Sequence, residues 1–350
     1  MRFAGVALVL SFVTSALALA SAGCRIEASV GKTTPASAAG ASEWKSKIDV
    51  QHPLVGTIWS TKEARAVTPR ELAADLAKAK LVLLGEKHDN SDHHVLQARL
   101  VRELTAAGRR PAVAFEMIDA DEQSVVTASL LEHPKDADAI AAAVRWDRKG
   151  WPPWPEYAPI AQAALAFDLP ILGANLPLAQ VRAIAHGGIG AVDRETAARL
   201  GIDRELPEAS AASLREELQA AHCGHLPDAA VDRMALAQRA RDAEMAQRIL
   251  LTAQGDGAVL IAGAGHVRND RGVPSEVARL DASVRVVSVA FSEVEKAKTQ
   301  PPEYASRWYA SAVPFDYVWF TPRSSDADPC DAFRRPPSAP PPQAAPPPSE

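Results

Sequence analysis

Five short apolar runs separated by stretches of helical periodicity constrain this chain more than any other feature. The runs are "LVLLG" (81–85), "AVAFE" (112–116), "LPILGAN" (169–175), "AVLIAG" (258–263) and "VRVVSVAF" (284–291). Each is too short for a buried helix and too continuously apolar for a strand with one wet face, so each reads as a strand covered on both sides. Residues 91–107, 156–168, 209–221 and 227–254 carry apolar side chains at helix-type spacing with few interruptions. Strands alternating with helices require crossover connections, which predicts an α/β fold: a largely parallel sheet with helices on both faces. From about 178 to 254 no strand-like run occurs, so this stretch is expected to be a helical insertion or lid subdomain.

A parallel sheet delivers all its strand ends to one edge, where ligands bind. Two of the runs end in the same step, Gly-x-x-His: Gly85 to His88 and Gly263 to His266. Glu86 follows the first run, Glu116 closes the second and Asn175 the third. Any one of these could cap a helix or bond a neighbouring loop. Two histidines, two carboxylates and an amide at strand ends together predict a site, with Gly85, Gly263 and Gly265 giving the backbone room to turn. In "PDAAVDRMALAQRARDAEMAQRIL" (227–250), Val231, Met234, Met245 and Ile249 form an apolar stripe that also holds Gln238 and Asp242. Polar groups on a buried face need partners, either a structural pair or the site itself.

Three further stretches bear on chemistry. "WDRKGWPPWPEYAPI" (146–160) holds three of the seven Trp, Tyr157, Arg148 and Lys149. Its default reading is a hydrophobic packing loop; it would also suit a flat, doubly anionic ligand such as haem. His93 and His94 are expected to face solvent or to cap the helix that starts near Ser91. "HCGHLP" (222–227) has the look of a metal tract, but a helix end, a turn at Gly224 and a restart at Pro227 explain it more simply.

The chain ends are expected to lie outside the fold. Arg2, an uncharged apolar run to Ala20 and small residues before Cys24 read as an export signal over 1–23. Cys24 after Ala-Gly suggests a lipidated first residue and a membrane anchor, followed by a flexible tether over 24–44. Residues 45–330 would be the folded domain and 331–350 a disordered, Pro-rich tail, with eight prolines in 336–350. The formal net charge of −5 and the lack of a basic stripe argue against nucleic acid as a partner. Cys223 and Cys330 could pair in an oxidising compartment, or stay free.

The segments "GEKHDN", "AFEM", "WPEYAPI", "LPILGANLP", "CGHLP", "AQRARDAEMA" and "GAGHVRNDRGVP" together resemble the ChaN-type haem-binding lipoproteins of bacteria, within the wider Tiki and erythromycin esterase-like group. The likeness runs in order over roughly 50–295. It implies a haem-binding lipoprotein of the bacterial envelope, outer-membrane anchored and active in haem or iron uptake, and a possible homodimer enclosing haem. It also implies a tyrosine axial ligand, for which Tyr157 is the best match by motif; the strand-end residues His88, Asn175 and His266 and the cation Arg148 are the further candidates to line a haem site. The alternative is a periplasmic hydrolase: His88, Glu116 and His266 could hold a divalent metal ion with Glu86 as base, or a histidine could act directly as base. No Gly-x-Ser-x-Gly elbow is present. A third reading, an envelope interaction protein working through its tail, explains none of the strand-end polar residues.

Overall fold

The protein is described here by a computed structural model, over residues 44–253 and 255–334. Cys24, the expected leader, nearly all of the tether and the tail beyond 334 lie outside the described residues. The first part of the chain supplies β1 (Ile58–Ser60), β2 (Arg65–Val67), α1 (Pro69–Leu76), β3 (Leu81–Glu86), α2 (Ser91–Ala106), β4 (Ala112–Asp119), α3 (Gln123–Glu132), α4 (Ala137–Ala143), α5 (Trp154–Leu165) and β5 (Ile171–Asn175). Then come α6 (Leu178–Gly187), α7 (Arg194–Arg199), α8 (Glu208–Ala221) and α9 (Asp228–Leu250), with no strand between them. β6 (Ala258–Gly263), α10 (Val273–Leu280), β7 (Val286–Glu293), β8 (Tyr317–Thr321) and α11 (Asp331–Arg334) complete the described residues.

The strands form one eight-stranded sheet in the order β2-β1-β8-β7-β3-β6-β4-β5. From β8 to β5 all neighbours are parallel; only β1 runs antiparallel, to β8 and to β2. The fold is thus the mostly parallel α/β sheet that the five apolar runs predict. Side-chain alternation within those runs feeds two cores. Val82, Leu84, Val113, Phe115, Val259 and Ile261 pack under α1 to α5. Leu81, Leu83, Ala112, Ala114, Leu260 and Ala262 pack under α9 and α10. The helices between β5 and β6 have a small core of their own, in which Ile184, Ala197 and Leu200 meet Ala237 and Ala240 of α9.

Some elements depart from expectation. β1, β2 and β8 were not among the five runs; three-residue strands such as β1 and β2 are too short to show a period. The run expected at 284–291 forms its strand two residues later, as Val286–Glu293. Residues 331–334, expected in the tail, form α11, where Arg334 pairs with Asp328 and Asp331. Cys223 and Cys330 are joined in a disulfide, so Cys223 is no metal thiolate. The neighbouring His222 ring bonds the Leu218 carbonyl at the end of α8.

Candidate functional site

The register places the two Gly-x-x-His steps side by side, since Glu86 of β3 lies opposite Gly263 of β6. Alternation sends the two strand-end carboxylates to opposite faces of the sheet: Glu86 follows Val82 and Leu84 towards α2 and α5, and Glu116 follows Ala112 and Ala114 towards α9. His88 joins them over the edge. Its Nδ1 lies 2.8 Å from Glu86 Oε1 and its Nε2 3.9 Å from Glu116 Oε2. Gly263 makes this possible, because a Cβ there would stand 2.9 Å from His88 Nε2.

On the Glu86 side, Oε1 also accepts a 2.6 Å hydrogen bond from the Tyr157 hydroxyl. The second oxygen, Oε2, lies 3.4 Å from His94 Nε2. The His94 ring packs on that of Tyr157, with centroids 4.2 Å apart. On the Glu116 side, Oε2 accepts from the Gly263 N–H at 2.6 Å, while Oε1 meets Arg241 and lies 3.3 Å from His266 Nε2. The other nitrogen of His266, Nδ1, is 2.5 Å from Asp242 Oδ1, and Gln238 Nε2 lies 3.2 Å from the same nitrogen. Arg241 Nε donates to Asn175 Oδ1 at 3.0 Å, which brings the end of β5 into the network.

So many ionisable groups out of water shift one another. Burial alone would raise Glu86, but the His94 and His88 rings outweigh it and lower its pKa to about 2. Burial likewise opposes ionisation of Glu116, and His266, Arg241 and His88 more than reverse it, leaving the carboxyl well below the usual range. Burial would also depress His266; Glu116 and then Asp242 overcome both burial and the repulsion of Arg241, and raise its pKa to about 9. For His88 the same contest of burial against Glu116 and Glu86 ends in an upward shift. Asp242 is pushed up by burial against the pull of His266. Burial, and then Glu86, push the Tyr157 hydroxyl far above its ordinary value, so it stands as a neutral donor.

Of the residues picked from the sequence, Glu86, His88, Glu116, His266, Tyr157 and Asn175 come together in this network, with Gln238 and Asp242 behind them. Arg148 does not: its side chain is exposed, and the neighbouring Lys149 pairs with Glu122 at 2.6 Å. Trp146 and Trp154 pack on each other in the core. Trp151 is only partly buried and packs its ring against His88, with centroids 4.8 Å apart.

His93 and His94 correct the expectation that they face solvent or cap a helix. Both are fully buried: His94 lies between Glu86 and Glu156, and His93 Nδ1 accepts from the Lys87 N–H at 2.9 Å. The cap of α2 is Asn90, whose side chain accepts from the Asp92 N–H. A pair of histidines in the first turn of a helix just after a strand-end Glu was the available signal. Arg241 carried none, because an arginine on a long polar helix reads as solvated. Among the described residues no group of three His, Cys, Asp or Glu side chains is arranged to hold a metal ion, and Glu116, the central carboxylate, already faces a guanidinium.

Fold and site together define a class of α/β protein: a sheet covered on both faces, whose parallel strands end in a buried network of carboxylates and imidazoles. The sequence model described as "Haem-binding uptake, Tiki superfamily, ChaN" matches residues 72–277, and the chain belongs to that family. The ChaN of Campylobacter jejuni, solved with cofacially bound haem, is 22% identical and superposes with a TM-score of 0.57 over 75% of this chain and 95% of its own. Weaker likenesses are the type III effector HopBA1, 12% identical over 72% of this chain and 92% of its own with a TM-score of 0.41, and a mutant of the erythromycin esterase EreC, 14% identical over 68% and 77% with a TM-score of 0.38. No curated protein matches the chain.

Proposed function

We propose that this protein binds haem at the mouth of the strand-end network, through His88 and beside Trp151. Family membership supports the ligand, and one observation supports the place: His88 is the only imidazole of the network that reaches solvent, its side chain being 32% exposed. Its Nδ1 donates to the ionised Glu86, so loss of the Nε2 proton, which the neighbouring carboxylates oppose, would leave Nε2 with a lone pair for iron; carboxylate-backed histidines hold iron and other metals in this way. Trp151 offers an aromatic face next to that ring. Tyr157 does not fit a tyrosinate ligand where it stands, because its hydroxyl is buried and bound to a carboxylate. Bound haem would supply a ferric iron that a protein side chain can ligate; His88 would be that ligand, with Glu86 fixing its orientation. We further propose an envelope lipoprotein, anchored through Cys24, acting as a homodimer in haem or iron uptake.

The test is titration of the purified protein with haemin, followed by absorbance, in the parent, His88→Ala and Tyr157→Phe. A saturable complex whose ligand-to-iron bands are lost in His88→Ala and kept in Tyr157→Phe supports the proposal. The absence of a saturable complex refutes haem binding, and loss of the bands in Tyr157→Phe alone refutes the ligand. One observation favours a second reading, a metal-free hydrolase: His266 is held by Asp242 at Nδ1 and faces Glu116 with Nε2, an array that could relay a proton behind the site. Turnover of a panel of simple esters, abolished in His266→Gln, would support it.

A further inference from the structure

Beside the His266–Asp242 pair lies a small cavity of about 20 Å³ between α8, α9 and the start of α10. Its walls include Gln238, Arg239, Asp242, Arg271, Gly272 and Ser275. Arg271 is 4% exposed, yet its Nε and Nη1 have no hydrogen-bond partner. Only its Nη2 is engaged, by Glu217, a carboxylate already shared with Arg268. Arg239 Nε is also unpartnered; that guanidinium donates to the carbonyls of Gly201 and Arg204, and among the described residues it has no ion pair. α10 begins at the same wall, at Gly272, with no side chain capping its N-terminus. Buried guanidinium N–H groups without acceptors are costly, so a site that leaves them open is built for something that accepts.

The charge balance points the same way. Arg268 and Arg271 are matched by Glu217 and Asp270, Asp242 is matched by His266, and Glu276 at the rim is matched by Arg279. Arg239 makes no ion pair among the described residues, although it feels the carboxylates of Glu276, Asp242 and Asp203 at longer range. Both cations at the wall are held below their ordinary pKa by burial, which Glu217 opposes at Arg271 and Glu276 at Arg239 without cancelling it, and an anion between them would relieve both. Geometry points to the class of anion: the adjacent Nε and Nη1 of Arg271 form an open fork at the cavity wall, which the two oxygens of a carboxylate match.

We propose that this cavity is a carboxylate-binding site in which Arg271 and Arg239 are the cationic ligands and the N-terminus of α10 is a third donor. It stands against the His266–Asp242 pair, so a carboxylate held there lies one residue away from the strand-end network. The bound group is either a free small carboxylate or the carboxylate end of a larger ligand, of which a haem propionate is the example at hand. The proposal does not depend on haem.

The test uses sodium formate and sodium acetate, titrated calorimetrically into the whole chain at constant ionic strength with chloride as the control anion. One saturable carboxylate site per chain is expected, weakened at least tenfold in both Arg271→Gln and Arg239→Gln. Arg239→Gln leaves the Glu217 pairing intact, so it keeps the test decisive if Arg271→Gln does not fold. Absence of saturable binding, or binding unchanged in Arg239→Gln, means that the cavity holds only water and overturns the proposal. Competition then separates the two sources. Displacement of acetate by haemin but not by haemin dimethyl ester assigns the site to a propionate, and acetate that neither displaces assigns it to a separate small carboxylate. If acetate binds and the chain takes up no haem, the haem reading fails and this one stands.

Discussion

His266 allows a quantitative test of the network that does not depend on any ligand. Folding raises its pKa from 6.5 to about 9, because Glu116 and Asp242 outweigh burial and Arg241. A raised folded-state pKa means that the imidazolium stabilises the fold. Below pH 6.5 both the folded and the unfolded chain carry the proton and the contribution is complete; it is lost as the pH rises through the folded value. At about 1.4 kcal/mol per unit, the shift from 6.5 to about 9 corresponds to roughly 3 kcal/mol. The residue is buried, so solvent does not screen this figure as it would at the surface. His266→Gln keeps the approximate shape and hydrogen-bonding capacity but cannot take the proton. Urea denaturation of parent and variant, at intervals from about pH 6 to about pH 10, should show the parent more stable at the acid end. The gap should narrow by about 3 kcal/mol across the window at constant m-value. His88 is also shifted upward but feels the charge of His266 and shares Glu116 with it, so a parallel series in a His88→Gln background isolates the His266 contribution. Two parallel stability curves would refute the reasoning, because they would mean that His266 is not charged by its carboxylates.

Gly257→Ala should cost several kcal/mol, about 2–5, read as a fall in melting temperature. Its φ is +78° and a Cβ would come 1.8 Å from the Lys80 carbonyl oxygen, a backbone atom with nowhere to go. Gly263→Ala should be milder in stability, because the obstacle is the end of the His88 side chain, but it should displace that ring and abolish the haem bands assigned to it. Cys223→Ser opens a loop with a sequence separation of 107, so it should lower stability in non-reducing buffer by about 2–5 kcal/mol and have no effect under reduction. Cys24→Ser should release the protein from membranes, read by sedimentation after a salt wash, because a single lipidated residue is the anchor proposed.

The parts of the fold that were legible are those in which burial on both faces writes a continuous apolar run. β3, β4, β5 and β6 fall on such runs, and the strand-end residues Glu86, His88, Glu116, Asn175 and His266 follow from the parallel topology. What stayed hidden was set by tertiary packing. His94 lies in an apparently polar helix start, SDHHV, and only the approach of α5, which brings Tyr157 and Glu156, makes that turn an interior one. Arg241 looks solvated until α9 is laid across the sheet, where Glu116 and Asn175 become its acceptors. The burial of Tyr157 was equally out of reach, since the motif gives the phenol but not what it bonds. β8 was missed for a different reason: its YVWFT stretch ends the sheet without a helical pattern after it, and its neighbour β1 lies near the other end of the chain.

That last pairing has a kinetic consequence. Ile58 of β1 sits opposite Trp319 of β8, and Ile48 bridges to Arg323, so one flank of the sheet is closed by residues nearly the whole described chain apart. During synthesis, β7 and β1 each present an open edge until residues 317–321 have emerged. Closure at such separation is slow, and uncovered strand edges invite pairing with other chains. The nascent protein therefore spends most of its emergence as an incomplete sheet, and a stop codon anywhere before Tyr317 should give an aggregating product rather than a shorter working one.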